Sequence, residues 1–230
     1  MLDITDKWVL LTGASRGIGQ QVATALAKKN CKIILHSRSI EHTKNLASIL
    51  KKNGAVVHQL QAELSDTDQV VRLAEDALRI SGGIDILYNN AAIMTAYHAD
   101  FYSIPKEEFE LSFRVNTIAP IALCSKLLPG MIQRKFGRIV NVTSGIKGEP
   151  ELMPYAASKA ALDKYVYDMA PKLKETGVLM NLMDPGWCRT DLGGSQAPNA
   201  VESVIPGALV PVLLEDDTCG KFFCAQDYRG

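Results

Sequence analysis

Thr12-Gly13-Ala14-Ser15-Arg16-Gly17-Ile18-Gly19 is the stretch whose reading decides the fold. Trp8 to Thr12 before it is a short apolar run and reads as a strand buried on both faces. Gln20 to Lys29 after it has helical composition. Glycines between a strand and a helix let the backbone turn tightly and approach a pyrophosphate. The helix N-terminus then offers free N–H groups and the positive end of its dipole to the phosphates. The spacing is G-x-x-x-G-x-G, not the commoner G-x-G-x-x-G, so the flanking elements carry the reading.

Outward from the loop, strands and helices alternate. Lys32 to His36 reads as a second strand, with Ser37 and Arg38 at its end. That point faces an adenosine ribose in such folds. An acid there holds a 2′-hydroxyl, whereas an arginine accepts a 2′-phosphate. No acid stands at Ser37, Arg38 or Ser39, and Arg16 lies in the loop. Unless both arginines are merely solvated, NADP(H) is preferred, with NAD(H) second. Asn45 to Lys52 is helical and ends at Asn53-Gly54. Ala55 to Gln61 is a third strand, followed by Ala62-Glu63-Leu64, where an adenine edge would be met. Asp66 caps a helix from Thr67 to Ile80, which Ser81-Gly82-Gly83 breaks. Ile84 to Tyr88 is a fourth strand, ending in Asn89-Asn90-Ala91-Ala92. The alternation predicts a doubly wound parallel sheet with ligands at the carboxyl ends of its strands.

The second half carries reacting groups. Pro105 to Ile132 reads as one long helix or a kinked pair, with Pro120 and Pro129 inside and Asn116 among apolar neighbours. Gly137 to Thr143 is a fifth strand with Ser144 at its end. A hydroxyl there can donate to a carbonyl oxygen. A loop from Gly145 to Met153 leads to Pro154 and then Tyr155-Ala156-Ala157-Ser158-Lys159. Proline suits the first turn of a helix, and positions i and i+4 share a face, so Tyr155 and Lys159 stand side by side. A cation beside the phenol is expected to lower its pKa and fit it for proton transfer. Pro171 ends or kinks that helix. Val178 to Met183 is a sixth strand, running into Asp184-Pro185-Gly186-Trp187-Cys188-Arg189-Thr190-Asp191. Gly193 to Val204 is irregular, Ile205 to Leu214 forms a short helix, and Lys221 to Cys224 is a last strand.

Composition narrows the class. With 230 residues and 47% apolar content, the chain suits one α/β domain, and nothing in it marks a linker or repeat. Lys plus Arg equals Asp plus Glu at 25 each, which gives no field for nucleic acid or membranes. Five scattered cysteines without a C-x-x-C pair argue against a disulfide framework or a metal site. Met1 to Asp6 lacks the pattern of a signal peptide, and no apolar run has the length of a membrane span. A cytoplasmic protein is expected.

Taken together, the loop, Asn89-Asn90-Ala91-Ala92, Asn116, Ser144, Tyr155-x-x-x-Lys159 and the Pro185-Gly186-x-x-x-Thr190 segment resemble the short-chain dehydrogenase/reductase family, and within it the carbonyl-reductase-like members. The resemblance runs from about Lys7 to Phe223. It implies a single Rossmann domain over 1–230 with a seven-stranded parallel sheet, helices on both faces, and a short substrate-covering segment, 187–205. It implies reduction of an aldehyde or ketone by hydride transfer from NADPH. Tyr155 would be the acid/base, Lys159 would tune it and bind the nicotinamide ribose, Ser144 would orient the carbonyl, and Asn116 would hold a relay water. Gly13, Ser15, Arg16, Gly17, Ile18 and Gly19 match the phosphate loop. Ser37, Arg38, Glu63 and Leu64 match the adenosine side, Asn89 and Ala91 the ribose, and Pro185, Gly186 and Thr190 the nicotinamide end.

The chain departs from the family at Ala92, where glycine is usual, and at Glu63, where aspartate is usual. Its loop between Ser144 and Tyr155 is short, which makes Thr143 a rival to Ser144. Trp187, Met94, Tyr97 and Met153 line an apolar pocket or belong to the core. Pairing into a homodimer or homotetramer through the Asn116 and Tyr155 helices is also implied, by way of Leu123, Leu127, Leu162 and Val166, unless these pack only on the sheet. An NAD-linked alcohol dehydrogenase and a non-catalytic NADP(H) sensor are the competing readings.

Overall fold

Strand β1 (Trp8–Leu11) puts Val9 and Leu11 into one apolar cluster and Leu10 into another, all three fully buried. A strand turns successive side chains to opposite faces, so β1 is covered on both sides. The same alternation recurs in β2 (Lys32–Ser37), where Ile33 and Leu35 face the first cluster and Ile34 the second. The computed structural model describes residues 1–229. Its other strands are β3 (Val57–Gln61), β4 (Ile86–Asn89), β5 (Gly137–Val142), β6 (Val178–Asp184) and β7 (Phe222–Cys224). They form one sheet in the order β3-β2-β1-β4-β5-β6-β7, every pair parallel. The helices are α1 (Gly17–Ala27), α2 (Glu41–Lys52), α3 (Thr67–Ser81), α4 (Lys106–Phe113), α5 (Ala119–Gln133) and α6 (Met153–Met169). Residues of α1 and α2 bury against the first cluster, and residues of α3, α5 and α6 against the second. This is the doubly wound Rossmann architecture, and the strand order reverses between β1 and β4, where such sheets open a ligand crevice.

Local signals explain most boundaries. Asp66 caps α3 by accepting from the N–H groups of Asp68 and Gln69, and Gly82 ends it at φ +71°. Pro171 falls in a 3-10 turn, Ala170–Leu173, that closes α6. Three elements differ from expectation. Helix α1 begins at Gly17, so the last glycines of the loop are its first turn. The expected 105–132 helix is interrupted by a π-helical turn, Arg114–Ile118, and not at its prolines. Pro120 lies in the first turn of α5, where its missing N–H costs nothing. The short helix expected over 205–214 is a 3-10 turn, Gly207–Val212, and another, Val201–Val204, ends the stretch expected to be irregular.

The helical run Lys106–Gln133 is long and apolar enough to cross a membrane by length and composition, but 56% of its apolar window is buried inside the protein. Leu123, Leu127, Leu162 and Val166 are all buried within the chain. They pack inside it, and therefore present no pairing surface.

Candidate active site

The loop after β1 is shaped by the absence of side chains. At Gly13 (φ +64°) a Cβ would lie 2.7 Å from the Ala91 Cα, and at Gly19 one would lie 2.2 Å from the Gly13 carbonyl oxygen. Neighbouring side chains sew this backbone in place. The Asn90 amide donates to the carbonyls of Thr12 and Gly13, both at 2.9 Å. The Thr12 hydroxyl oxygen accepts from the N–H groups of Asn90 and Ala91. Burial pushes the pKa of His36 down to about 4, so its ring is neutral. It donates through Nε2 to the Ala62 carbonyl, leaving Nδ1 to accept from the Gly13 N–H at 3.5 Å. No side chain caps the N-terminus of α1. A bare turn of N–H groups beside a cradle that a methyl would fill fits a dinucleotide's phosphates.

Arg16 is paired with Asp191 at 2.6 Å, both largely exposed. A Cβ at Gly17 would lie 3.2 Å from the Thr190 methyl. The segment after β6 thus returns to the loop after β1, bringing Thr190, expected at the nicotinamide end, beside Gly17. Pro185 and Gly186 (φ +74°) form its turn, and Ser15 and Ile18 are half-buried in the loop. Arg38 is exposed at the end of β2 and makes no ion pair among the described residues.

Four expected cofactor contacts are engaged elsewhere through their side chains. Asn89 is buried and donates to Asn141, its register partner on the neighbouring strand. Leu64 is buried in the second cluster. The Ser37 hydroxyl donates to the Ser39 carbonyl, and a Glu63 carboxylate oxygen accepts from the Ser65 N–H. The Asn89 side-chain oxygen keeps no protein partner among the described residues, and the main chains of these residues and of Ala91 remain to meet a ligand as well. Asn90, Thr12 and His36 shape the loop and were not singled out in the sequence.

The side chains expected to react lie at the end of β5 and the start of α6. Tyr155 is 8% exposed, with the Ser144 side chain near enough to oppose the rise of its pKa. The Thr143 hydroxyl instead donates to Asp163, so Ser144 is the one facing Tyr155. Lys159 is buried, lies 5.8 Å from the centroid of the Tyr155 ring and donates to the Val142 carbonyl at 2.7 Å. Asn116, in the π-helical turn, has both amide donors and one acceptor position of its oxygen engaged. Its amide donates to the Ile93 carbonyl and the Ser158 hydroxyl, and its side-chain oxygen accepts from the Ile93 N–H.

The charge balance differs from expectation. The Tyr155 phenol is pushed up to about 12, chiefly by burial. Ser144 opposes this, while the carboxylates of Asp184 and Asp163 add to it. Lys159 is not among the groups that shift it, and the burial of Lys159 brings its own pKa down to about 8, opposed by Asp163. Asp163 and Asp184 are themselves raised by burial. Tyr155 is thus a protonated phenol at neutral pH. Trp187, Tyr97 and Met153 are exposed around this edge and do not belong to the core, and Trp187 donates to the Gly193 carbonyl.

Comparison with known proteins agrees with this picture. The family model described as short chain dehydrogenase matches residues 7–200. A ketoacyl reductase of Nostoc sp. is 36% identical over 189 residues, covering 81% of this chain and 65% of that protein. A versicolorin reductase of Emericella nidulans is 31% identical over 190 residues, covering 81% of this chain and 70% of its own. Among solved structures, a metagenomic blue fluorescent protein in complex with NADPH superposes with a TM-score of 0.84 at 25% identity, covering 97% of each chain. This chain spans only 65% of the Nostoc relative's length and 48% of a mycobacterial oxidoreductase that it matches at 34% identity. Both the model match and the versicolorin reductase cover most of this chain, and on that ground it belongs to the short-chain dehydrogenase family.

Proposed function

We propose that this protein reduces a carbonyl compound, an aldehyde or ketone, to an alcohol at the expense of NADPH. The observation that carries the reading is Tyr155 with Lys159 one helical turn along and Ser144 beside it, on the sheet edge that also carries the glycine cradle. The relatives support it, being a ketoacyl reductase and a versicolorin reductase by name, with a structural neighbour bound to NADPH.

The residues that would hold the dinucleotide are Gly13 to Gly19 at the phosphates, Arg38 and Arg16 at a 2′-phosphate, and Pro185 to Thr190 at the nicotinamide end. When bound, the cofactor supplies the hydride. Ser144 donates a hydrogen bond to the substrate oxygen and holds it against Tyr155. As negative charge develops on that oxygen, the Tyr155 O–H bond breaks and its proton completes the alcohol. Lys159, anchored on the Val142 carbonyl, stabilises the phenolate left behind. Ser158 bridges Asn116 to the Tyr155 carbonyl and fixes the start of α6.

Tyr155→Phe is the test. A panel of carbonyl compounds is screened for NADPH oxidation, and the variant should lose about 10²–10⁴ of the turnover. NADPH binding, followed by fluorescence, should be retained. Undiminished turnover would refute the mechanism.

A further inference from the structure

Strands β6 and β7 run parallel with Asp184 opposite Cys224, so the two segments leave the sheet side by side. One enters the Pro185–Gly186 turn and the other a 3-10 turn, Ala225–Tyr228, that contains Gln226. The partly buried Gln226 side chain lies along the first turn: a Cβ at position 186 would sit 2.7 Å from its Cγ. Its amide nitrogen donates to the Pro185 carbonyl and lies 3.6 Å from the Cys188 sulfur. Its oxygen accepts from the Arg229 guanidinium, which can only donate, and this fixes which end of the amide faces the turn. Arg229 also donates to the Asn199 side chain, and the Asn199 backbone is hydrogen-bonded to those of Trp187 and Arg189. From the other side the Asp184 carboxylate accepts from the Gly186 N–H at 2.9 Å. The Pro185 carbonyl and the Gly186 N–H belong to one peptide group, so this plane is pinned at both edges.

We propose that Gln226 is a positioning residue for the cofactor: by pinning the Pro185–Gly186 peptide opposite Asp184, it holds the segment 185–190 in the shape that receives the nicotinamide end. This rests on the reductase reading above, which puts that end here. Gly186 stands at φ +74°, and a glycine has other conformations open to it, so the plane before it can turn once one edge is released. A turn that must be ordered as the cofactor arrives takes that ordering out of the binding free energy. The glycine loop, which takes the phosphates, is tied by Asn90 and Thr12 and not by Gln226. The adenosine half of the dinucleotide therefore does not sense the change.

Gln226→Glu keeps the stem and an oxygen for Arg229 but loses the donor, and Gln226→Leu loses both. Each protein is titrated by calorimetry with NADPH and with 2′,5′-ADP, which carries the adenosine and its 2′-phosphate without the nicotinamide. Both variants should bind NADPH about two- to tenfold more weakly, the range of one hydrogen bond, and 2′,5′-ADP as the wild type does. With a carbonyl that the wild type reduces, KM for NADPH should rise while KM for the carbonyl holds. Wild-type NADPH affinity in either variant would overturn the proposal. Equal weakening of the two ligands would overturn it too, since that marks a general loosening of the fold. The binding arms need no turnover, so their failure sinks the role of Gln226 alone. A wild type that binds NADPH but reduces no carbonyl sinks the reductase reading and spares Gln226, and one that binds no NADPH sinks both.

Discussion

The glycine loop and the start of α6 serve the same sheet edge and are built by opposite means. Around the loop, shape comes from missing atoms. Gly13 and Gly19 sit where a Cβ would overlap backbone, and Asn90 and Thr12 tie main-chain groups with neutral hydrogen bonds. Around Tyr155, full-sized polar side chains are taken in. Lys159 is 2% exposed, and Asp163 and Asp184 are half-buried beside it. One region is a steric mould and should fail when an atom is added. The other is a balance of buried charges and should fail when a charge or the pH is changed.

The largest effect tests the mould. Gly19→Ala places a methyl against the Gly13 carbonyl and the Asn90 amide. Overpacking of this kind costs about 1–3 kcal/mol. At about 2–4 °C per kcal/mol for a protein of this size, thermal unfolding should fall by several degrees, equally at every pH. NADPH affinity should fall with it, since Gly13 and Gly19 must part. A variant with wild-type stability and binding would show that the loop is pliable, and the contrast with α6 would dissolve.

The next effect tests the balance, by its pH dependence. Burial lowers Lys159 from 10.5 to about 8 in the folded protein. Above about pH 8 the folded state has released this proton while the unfolded chain keeps it up to about 10.5. The unfolded state then binds more protons, so stability rises with pH across that window. Below it both states are protonated, and the burial penalty is felt in full. Lys159→Met removes this contribution. Urea unfolding at several pH values should show the wild type gaining on the variant between about pH 8 and 10.5. Gly19→Ala should run parallel to the wild type over the same range. A constant gap between wild type and Lys159→Met would mean that the ammonium is not desolvated.

The two regions also differed in how far the sequence revealed them. The loop was legible because glycine between a strand and a helix has few other uses. Tyr155 and Lys159 were legible from helical spacing, and the same spacing carried one turn further reaches Asp163, a signal that went unread. Asp184 likewise stood at the end of a predicted strand, on the ligand edge. What stayed hidden depends on burial and on distant partners. Asn89 and Asn90 are chemically identical, and only strand phase turns one towards Asn141 and the other to the loop. Prolines pointed to a kink near Pro120, but the π-helical turn falls earlier, around Asn116 bound to Ile93 and Ser158. The charge state of Tyr155 follows from its neighbours in space, not from Lys159 in sequence.

The smallest effect falls where the regions touch. Arg16 belongs to the mould and Asp191 to the segment leaving β6, and their pair is exposed on both sides. Exposed pairs are weak, so breaking this one should leave stability nearly unchanged. Its consequence lies in cofactor choice. An Arg16 held by Asp191 is less free to meet a 2′-phosphate, and Asp191→Asn releases it. NADPH should then bind more tightly by up to about fivefold, the ceiling set by such a pair. NADH, lacking the phosphate, should be unmoved. Added salt should shrink the difference, because the competition is between solvated charges. Fluorescence titration of both cofactors at two salt concentrations reads all of this. Weaker binding of both cofactors in the variant would mean that the pair straps the β6 segment over the dinucleotide. Charge would then hold the mould shut, and the division between a steric region and an electrostatic one would not survive at this boundary.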